Sequence, residues 1–219
     1  MELEVKFLLS NRSALVGRLQ GTGAVLKSPR THELNLRFDT PARALTQTSQ
    51  VLRLRQDARV RVTYKGPGAM EGGVRARQEI EFGVDDFDAA KATFEALGYE
   101  VSFIYEKYRT TYALSSGSDD FSRSKAVETA TTNEAVEIVL DETPLGTFTE
   151  IEGPDAEAIQ LAADRLGLDW EARINESYVY LFETVKRSLA LPFRDLTFAN
   201  FEGVRVTPKL MGIKFGDQH

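Results

Sequence analysis

A period of two dominates this sequence. Its opening residues place Glu2, Glu4 and Lys6 on one side of an extended chain and Leu3, Val5 and Phe7 on the other. A single strand of this kind suits any solvated sheet. Here the format recurs. Leu34, Leu36 and Phe38 alternate within residues 33–39, and Leu52 and Leu54 oppose Arg53 and Arg55. Val60, Val62 and Tyr64 oppose Arg61, Thr63 and Lys65, while Arg75, Arg77, Glu79 and Glu81 oppose Ile80 and Phe82. Lys107 and Arg109 share a face of a strand over 99–114. A hairpin around Pro144-Leu-Gly146 then projects Glu137 and Asp141 from one strand and Glu150 and Glu152 from the other.

Strands with one ionic and one aliphatic face need a partner for each. An antiparallel sheet of about eight of them can close into a barrel, which removes exposed edges. The sequence also predicts helices to cover the aliphatic face, which must then be the outer one. They run over 10–26 (ended by Gly21-Thr-Gly), from Asp85 or Asp86 to Leu97, from Gly153-Pro154 to Leu166, and over 175–189. The fold class expected is therefore α+β, a closed antiparallel barrel with a charged tunnel and helices outside. Residues 66–73 read as a mobile loop, 115–133 as a long hairpin loop, and Thr46–Ser49 as a turn. One domain is expected over 1–190. Residues 191–219 form an extension, with no role assigned, that packs on the same domain.

An ion carried alone into an interior costs several kcal/mol, so a charged lumen must be paired, wet or ligand-bound. A water-filled tunnel holding a metal and a polyanion meets all three conditions. Composition narrows the ligand. The formal charge of −6 argues against a general nucleic-acid binder, yet residues 51–65 hold Arg53, Arg55, Arg59, Arg61 and Lys65 against Asp57 alone. That patch points to a small anion. With no cysteine and only His32 and His219, any metal must be held by oxygen, which favours Mg²⁺ or Mn²⁺. No apolar run approaches the ~18 residues of a membrane span, and acids stand where a signal peptide needs a basic start, so a cytoplasmic protein without membrane contact is expected. A homodimer is compatible with the sequence.

The inward residues then sort by sign. Lys6, Arg53, Arg55, Arg61, Lys65, Arg75, Arg77, Lys107 and Arg109 suit phosphate oxygens. Glu2, Glu4, Glu79, Glu81, Glu137, Asp141, Glu150 and Glu152 suit divalent ions. No Walker motif competes for the phosphate.

Glu2-x-Glu4-x-Lys6 resembles the signature of the CYTH superfamily, the triphosphate tunnel metalloenzymes. Further matches follow in the family's order: Asn35-Leu-Arg-Phe-Asp39-Thr-Pro, Leu52-Arg53-Leu-Arg55, Thr63-Tyr-Lys65-Gly-Pro67, Glu79-Ile-Glu81, Glu106-Lys107-Tyr-Arg109, Val139-Leu-Asp141-Glu-Thr-Pro144-Leu-Gly146 and Glu150-Ile-Glu152-Gly153. The resemblance runs from residue 2 to about 182. It implies that Glu2, Glu4, Glu150 and Glu152 ligate metal or hold metal-bound water, and that Lys6, Arg53, Arg55, Lys65, Lys107 and Arg109 grip a triphosphate; Arg77 joins that set from its place on the charged face. It also implies catalytic parts for Lys6, Glu79, Glu81 and Asp141, the acids serving a second metal or orienting the nucleophile. Relatives often place a basic residue before the Ser-Tyr pair of the late helix, whereas Asn175-Glu176 precede Ser177-Tyr178 here.

The favoured activity is metal-dependent hydrolysis of a linear triphosphate (tripolyphosphate, thiamine triphosphate or ATP), because the conspicuous residues address phosphate and metal and none singles out adenine or ribose. Cyclisation of ATP to cyclic AMP and pyrophosphate uses the same clamp and is the alternative. Binding of polyphosphate or nucleotide without turnover is the third reading.

Overall fold

The computed structural model describes residues 2–71, 74–115 and 136–218, leaving aside the side chains of residues 2, 70–71 and 74–75. Eight strands close into one antiparallel ring, in the order β1-β5-β4-β3-β2-β6-β7-β8. They are β1 (Glu2–Leu9), β2 (Val25–Asp39), β3 (Val51–Gln56), β4 (Val60–Glu71), β5 (Val74–Val84), β6 (Glu100–Leu114), β7 (Val136–Thr143) and β8 (Gly146–Gly153). The helices are α1 (Arg12–Gly21), α2 (Ala44–Gln47), α3 (Phe87–Ala96), α4 (Ala156–Arg165), α5 (Tyr178–Leu189) and α6 (Pro208–Met211). Asn11, Asp86, Asp155 and Ser177 cap α1, α3, α4 and α5, each accepting from an otherwise unpaired backbone N–H of the first turn.

The barrel is inverted as the alternation requires. Leu3, Val5 and Phe7 leave β1 outward and join Ile138, Leu140 and Ile151 beneath α1 and α4. Leu36, Phe38, Leu54 and Val62 form a second outer core under Phe87, Ala90 and Phe94 of α3. Full burial of such a side chain contributes about 1.5–3 kcal/mol, which holds the helices to the wall. The cover is incomplete on β5, where Ile80 and Phe82 remain 49% and 55% exposed.

A third core closes one end of the ring. Leu8, Phe103 and Phe148 continue the inward faces of β1, β6 and β8 as apolar residues, and they meet Tyr178, Leu181, Phe182 and Val185 of α5. Residues 191–218 complete this plug and also cover bare strand edges. Leu196 bonds to both neighbours of Tyr105 (Leu196 N–H to Ile104 O, 2.9 Å; Glu106 N–H to Leu196 O, 3.0 Å). Ile174 bonds both ways with Lys6, and Gly216 N–H donates to Leu8 O at 2.8 Å. Those are the stretches of β6 and β1 that β7 and β5 do not reach. Asp217 accepts from the N–H groups of Ser10 and Asn11. Gly216 sits so close to the ring of Phe7 that a Cβ there would lie 2.9 Å from it.

Several predicted boundaries move. The first helix stops at Gly21, and β2 starts at Val25, well before Glu33. Pairing with β6 draws in residues 25–32 despite Pro29, and register shifts on either side of Ser28 absorb the proline. The predicted loop at 66–73 is strand as far as Glu71. A bulge between Lys65 and Gly68 takes up the extra residue, so β4 and β5 stay paired to Glu71 and Val74. Residues 72–73 and the loop predicted at 115–133, beyond Ser115, lie outside the described residues. Thr46–Ser49 belongs partly to α2. Among the described residues no helix is long and apolar enough to cross a membrane.

Candidate active site

The lumen forms a cavity of about 790 Å³, lined by eleven Lys or Arg residues against eight Asp or Glu. An acidic protein thus encloses a net positive chamber, the arrangement that draws in a small polyanion. Of the residues singled out from the sequence, Glu4, Lys6, Arg53, Arg55, Lys65, Arg77, Glu79, Glu81, Lys107, Arg109, Glu150 and Glu152 all line it. Asp141 lies behind the lining, fully buried. Glu2 pairs with Arg77 in the register of β1 and β5, but its side chain lies outside the described residues, as does that of Arg75.

The best-defined cluster gathers around Asp141 on β7. Its carboxylate accepts from Lys107 Nζ at 2.8 Å, from Arg109 Nε and Nη2 at 2.8 and 2.7 Å, and from the Tyr178 hydroxyl at 3.0 Å. Those bonds occupy both oxygens. Burial beside Asp141 and Glu150 pushes the Tyr178 phenol well above its usual range, so it stays protonated and donates. Arg109 also donates to Glu150, and Lys6 Nζ stands 3.7 Å from the same carboxylate. Burial opposes the Glu150 charge, yet Arg109, Lys107 and Lys6 hold its carboxyl below the ordinary range.

A second cluster sits on β3, β4 and β5. Arg55 donates to Glu81 at 3.1 Å, Arg53 to Thr63 at 3.0 Å and to the Tyr105 hydroxyl at 3.3 Å, and Thr63 in turn to Glu81 at 2.8 Å. Lys65 pairs with Glu79 at 2.7 Å, and Arg61 bonds to Asp57. Burial works against the charge on Glu81, but Arg55, Thr63, Arg61 and Arg53 outweigh it and keep the carboxyl low.

Glu33 links the two clusters. It lies 3.5 Å from Arg55, 3.7 Å from Lys107 and 3.8 Å from Arg109. Burial raises its carboxyl, and Lys107, Arg109, Arg55 and Arg53 overcome that to hold it at about 2. Because the folded value is depressed, this stabilisation is complete above the unfolded value near 4.5 and lost as pH falls toward 2. The stability of the wild-type protein should therefore drop more steeply across that window than the stability of Glu33→Gln, by roughly 3 kcal/mol in total. Urea unfolding at a series of acid pH values measures it, and parallel curves would remove Glu33 from the network.

Three carboxylates fit a divalent ion. Glu4, Glu150 and Glu152 bring one oxygen each to within 4.8 Å of one another. Hard cations take oxygens at about 2.0–2.6 Å, so oxygens sharing one ion stand no more than ~4–5 Å apart. Adjacent strands produce the grouping, since Glu4 faces Glu152 and Lys6 faces Glu150 in the register of β1 and β8. Arg77 stands 3.5 Å from Glu4.

The sequence reading passed over Glu33, Arg37, Tyr105 and Tyr178 as site residues. For the first two the signal was present: Leu34, Leu36 and Phe38 were read as the apolar face of β2, and Glu33, Asn35 and Arg37 are its other face. Tyr105 is two residues from Lys107, with the same parity. Tyr178 stands out only as part of the Ser-Tyr pair of the late helix; by periodicity it reads as core, and its hydroxyl reaches Asp141.

A CYTH domain family model matches residues 1–177. Among solved structures, a Vibrio parahaemolyticus protein provisionally named an adenylate cyclase superimposes with a TM-score of 0.65 at 23% identity, covering 81% of this chain and 94% of that one. A Pyrococcus horikoshii protein gives 0.60 at 24%, over 81% and 97% of the two chains. A Hippeastrum protein, provisionally named an adenylyl cyclase and described as having a dominant triphosphatase activity, gives 0.54 at 18%, over 98% and 100%. At these identities the likeness establishes a shared fold. No curated protein matches the chain.

Proposed function

Since this chain belongs to the CYTH domain family, we propose that it binds a linear triphosphate in the lumen and hydrolyses it with a divalent cation, Mg²⁺ or Mn²⁺. The observation that carries this reading is the opposition of cations on β3, β4, β5 and β6 to the acid trio of Glu4, Glu150 and Glu152 within one cavity. The relative described as a dominant triphosphatase supports hydrolysis over cyclisation.

Lys107 and Arg109 are the rigid part of the clamp, since Asp141, itself held by the Tyr178 hydroxyl, fixes both side chains before any ligand arrives. Preorganised charge of this kind stabilises the phosphoryl oxygens without reorganisation during reaction. Lys6, Arg53, Arg55, Lys65 and Arg77 add donors from the other walls, and arginine offers the bidentate fork that phosphate accepts best. A divalent ion held by Glu4, Glu150 and Glu152 would neutralise charge on the phosphoryl oxygens and help to orient them. Water attacks the terminal phosphorus, the bridging P–O bond breaks, and tripolyphosphate leaves as pyrophosphate and orthophosphate. Glu79 and Glu81 line the cavity as the acids that would orient the attacking water, whose proton leaves with the phosphate products. Asp141, shut away from the cavity, takes no proton and acts by positioning the clamp. The cysteine-free sequence suits action in the reducing cytoplasm.

Purified protein incubated with Mg²⁺ or Mn²⁺ and, separately, tripolyphosphate, thiamine triphosphate and ATP tests this reading. Orthophosphate release from at least one of them is expected to dominate. Cyclic AMP with pyrophosphate as the main products from ATP would overturn hydrolysis in favour of the cyclase, and tight binding with no turnover of any would leave a binding module.

A further inference from the structure

Arg37 departs from the other half-buried or buried cations of the lumen. Lys6, Arg53, Arg55, Arg61, Lys107 and Arg109 each hold an acid or a hydroxyl. The Arg37 side chain lines the cavity with no hydrogen bond or ion pair among the described residues. The acid two positions along the same strand acts on it only at a distance, with no hydrogen bond or ion pair between them. Asp39 is buried, and its two oxygens accept from Thr40, Leu45 and Thr46 backbone N–H groups and from the Thr46 hydroxyl, holding α2 in place. Burial disfavours the cationic form of Arg37 and outweighs the rest; Arg77 and Arg53 add to that, while Tyr105 and Asp39 work against it. Two residues earlier on the same face, Asn35 is fully buried, and neither atom of its amide head finds a hydrogen-bond partner. Polar groups left unmet at such a depth are uncommon and call for a ligand or water. β2 also lies four places from β1 in the ring of eight, so Arg37 looks across the lumen toward the wall that carries Glu4.

We propose that Arg37, with Arg53 beside it on β3, forms an anion subsite that grips one phosphoryl group from the wall opposite the acid trio. This rests on the triphosphate reading above and adds to it a residue that supplies affinity at a cost to the empty fold. In the free protein the Arg37 guanidinium meets two others, of which Arg77 stands beside Glu4 and Arg53 beside Glu81, and a bound phosphoryl group supplies Arg37 with an acceptor of its own. The signature is a variant that binds worse without folding worse.

Titration calorimetry with tripolyphosphate, in the absence of divalent metal so that nothing turns over, tests it alongside thermal melting of the ligand-free protein. Arg37→Gln should weaken tripolyphosphate binding about tenfold, and Arg37→Lys, which keeps the charge but not the fork, by less. The ligand-free melting temperature of Arg37→Gln should equal or exceed that of the wild type, because no internal partner is lost. An affinity change under threefold overturns the subsite, as does a lower ligand-free melting temperature, which would reveal a structural arginine. Wild-type protein that fails to bind tripolyphosphate at all overturns both the subsite and the triphosphate reading, whereas binding indifferent to Arg37→Gln overturns the subsite alone.

Discussion

Asp141→Ala should lower the unfolding free energy by about 3–5 kcal/mol, a large share of the 5–15 kcal/mol typical of a domain. The reason is what it leaves behind. Asp141 is fully buried and accepts from Lys107, Arg109 and Tyr178. Truncation removes the acid that hydrogen-bonds both cations, and the more distant Glu33 with Glu150 become their remaining counterions. The penalty belongs to the stranded charges, so it should exceed the ~1 kcal/mol of an ordinary hydrogen bond lost. Asp141→Asn keeps the shape and one acceptor and should fall between. Urea denaturation of the three proteins gives the order directly. A loss below about 1 kcal/mol for the alanine variant would mean that Lys107 and Arg109 are not held by Asp141, and the preorganised clamp would go with it.

Glu4→Gln should act on the opposite quantity, leaving the fold in place and lowering turnover of the preferred triphosphate by about 10²–10³-fold. That is the scale on which one electrostatic contributor to a transition state counts. Glu4 supplies one of three carboxylates to the acid trio and stands 3.5 Å from Arg77. Its neutralisation weakens a cation site but releases a guanidinium, so affinity for the anion should hold or rise while kcat falls. Raising the Mg²⁺ or Mn²⁺ concentration should restore part of the rate, which a purely structural glutamate would not allow. Steady-state kinetics over a metal series, with anion binding measured separately, discriminates the cases. A rate within a few-fold of wild type at every metal concentration would remove Glu4 from the metal site.

Much of the site was legible before any fold was known, because a strand's two faces are fixed by parity alone. Glu4, Lys6, Arg53, Arg55, Lys65 and Glu152 could be assigned to one face simply because their neighbours are aliphatic. Parity places Arg37 on that ionic face as well, opposite Leu36 and Phe38 of β2. Boundaries fared worse. The extension of β2 through Pro29 and of β4 through Pro67 depends on pairing with β6 and β5, and local turn chemistry around a proline argues the other way. The tail gave aromatic residues and no period. Its structure consists of single bridges at Leu196 and Phe215 and a shared apolar plug, none of which leaves a repeating pattern.

Sequence alone, then, determined that these strands have an ionic face and an aliphatic face, and that closure must turn the ionic one inward. The physical cause is the two-residue repeat of an extended chain together with helices that carry apolar stripes. Tertiary structure decided which charges meet. Arg109 reaches Asp141 and Glu33 only because β6 lies between β2 and β7, and Glu4 reaches Glu150 and Glu152 only because β8, far from it in sequence, returns to pair with β1. Such pairings follow from ring order and register, which one residue's slip would invert. They decide which buried cations already hold a hydrogen bond or ion pair, and among the described residues they leave the half-buried Arg37 facing the cavity with neither.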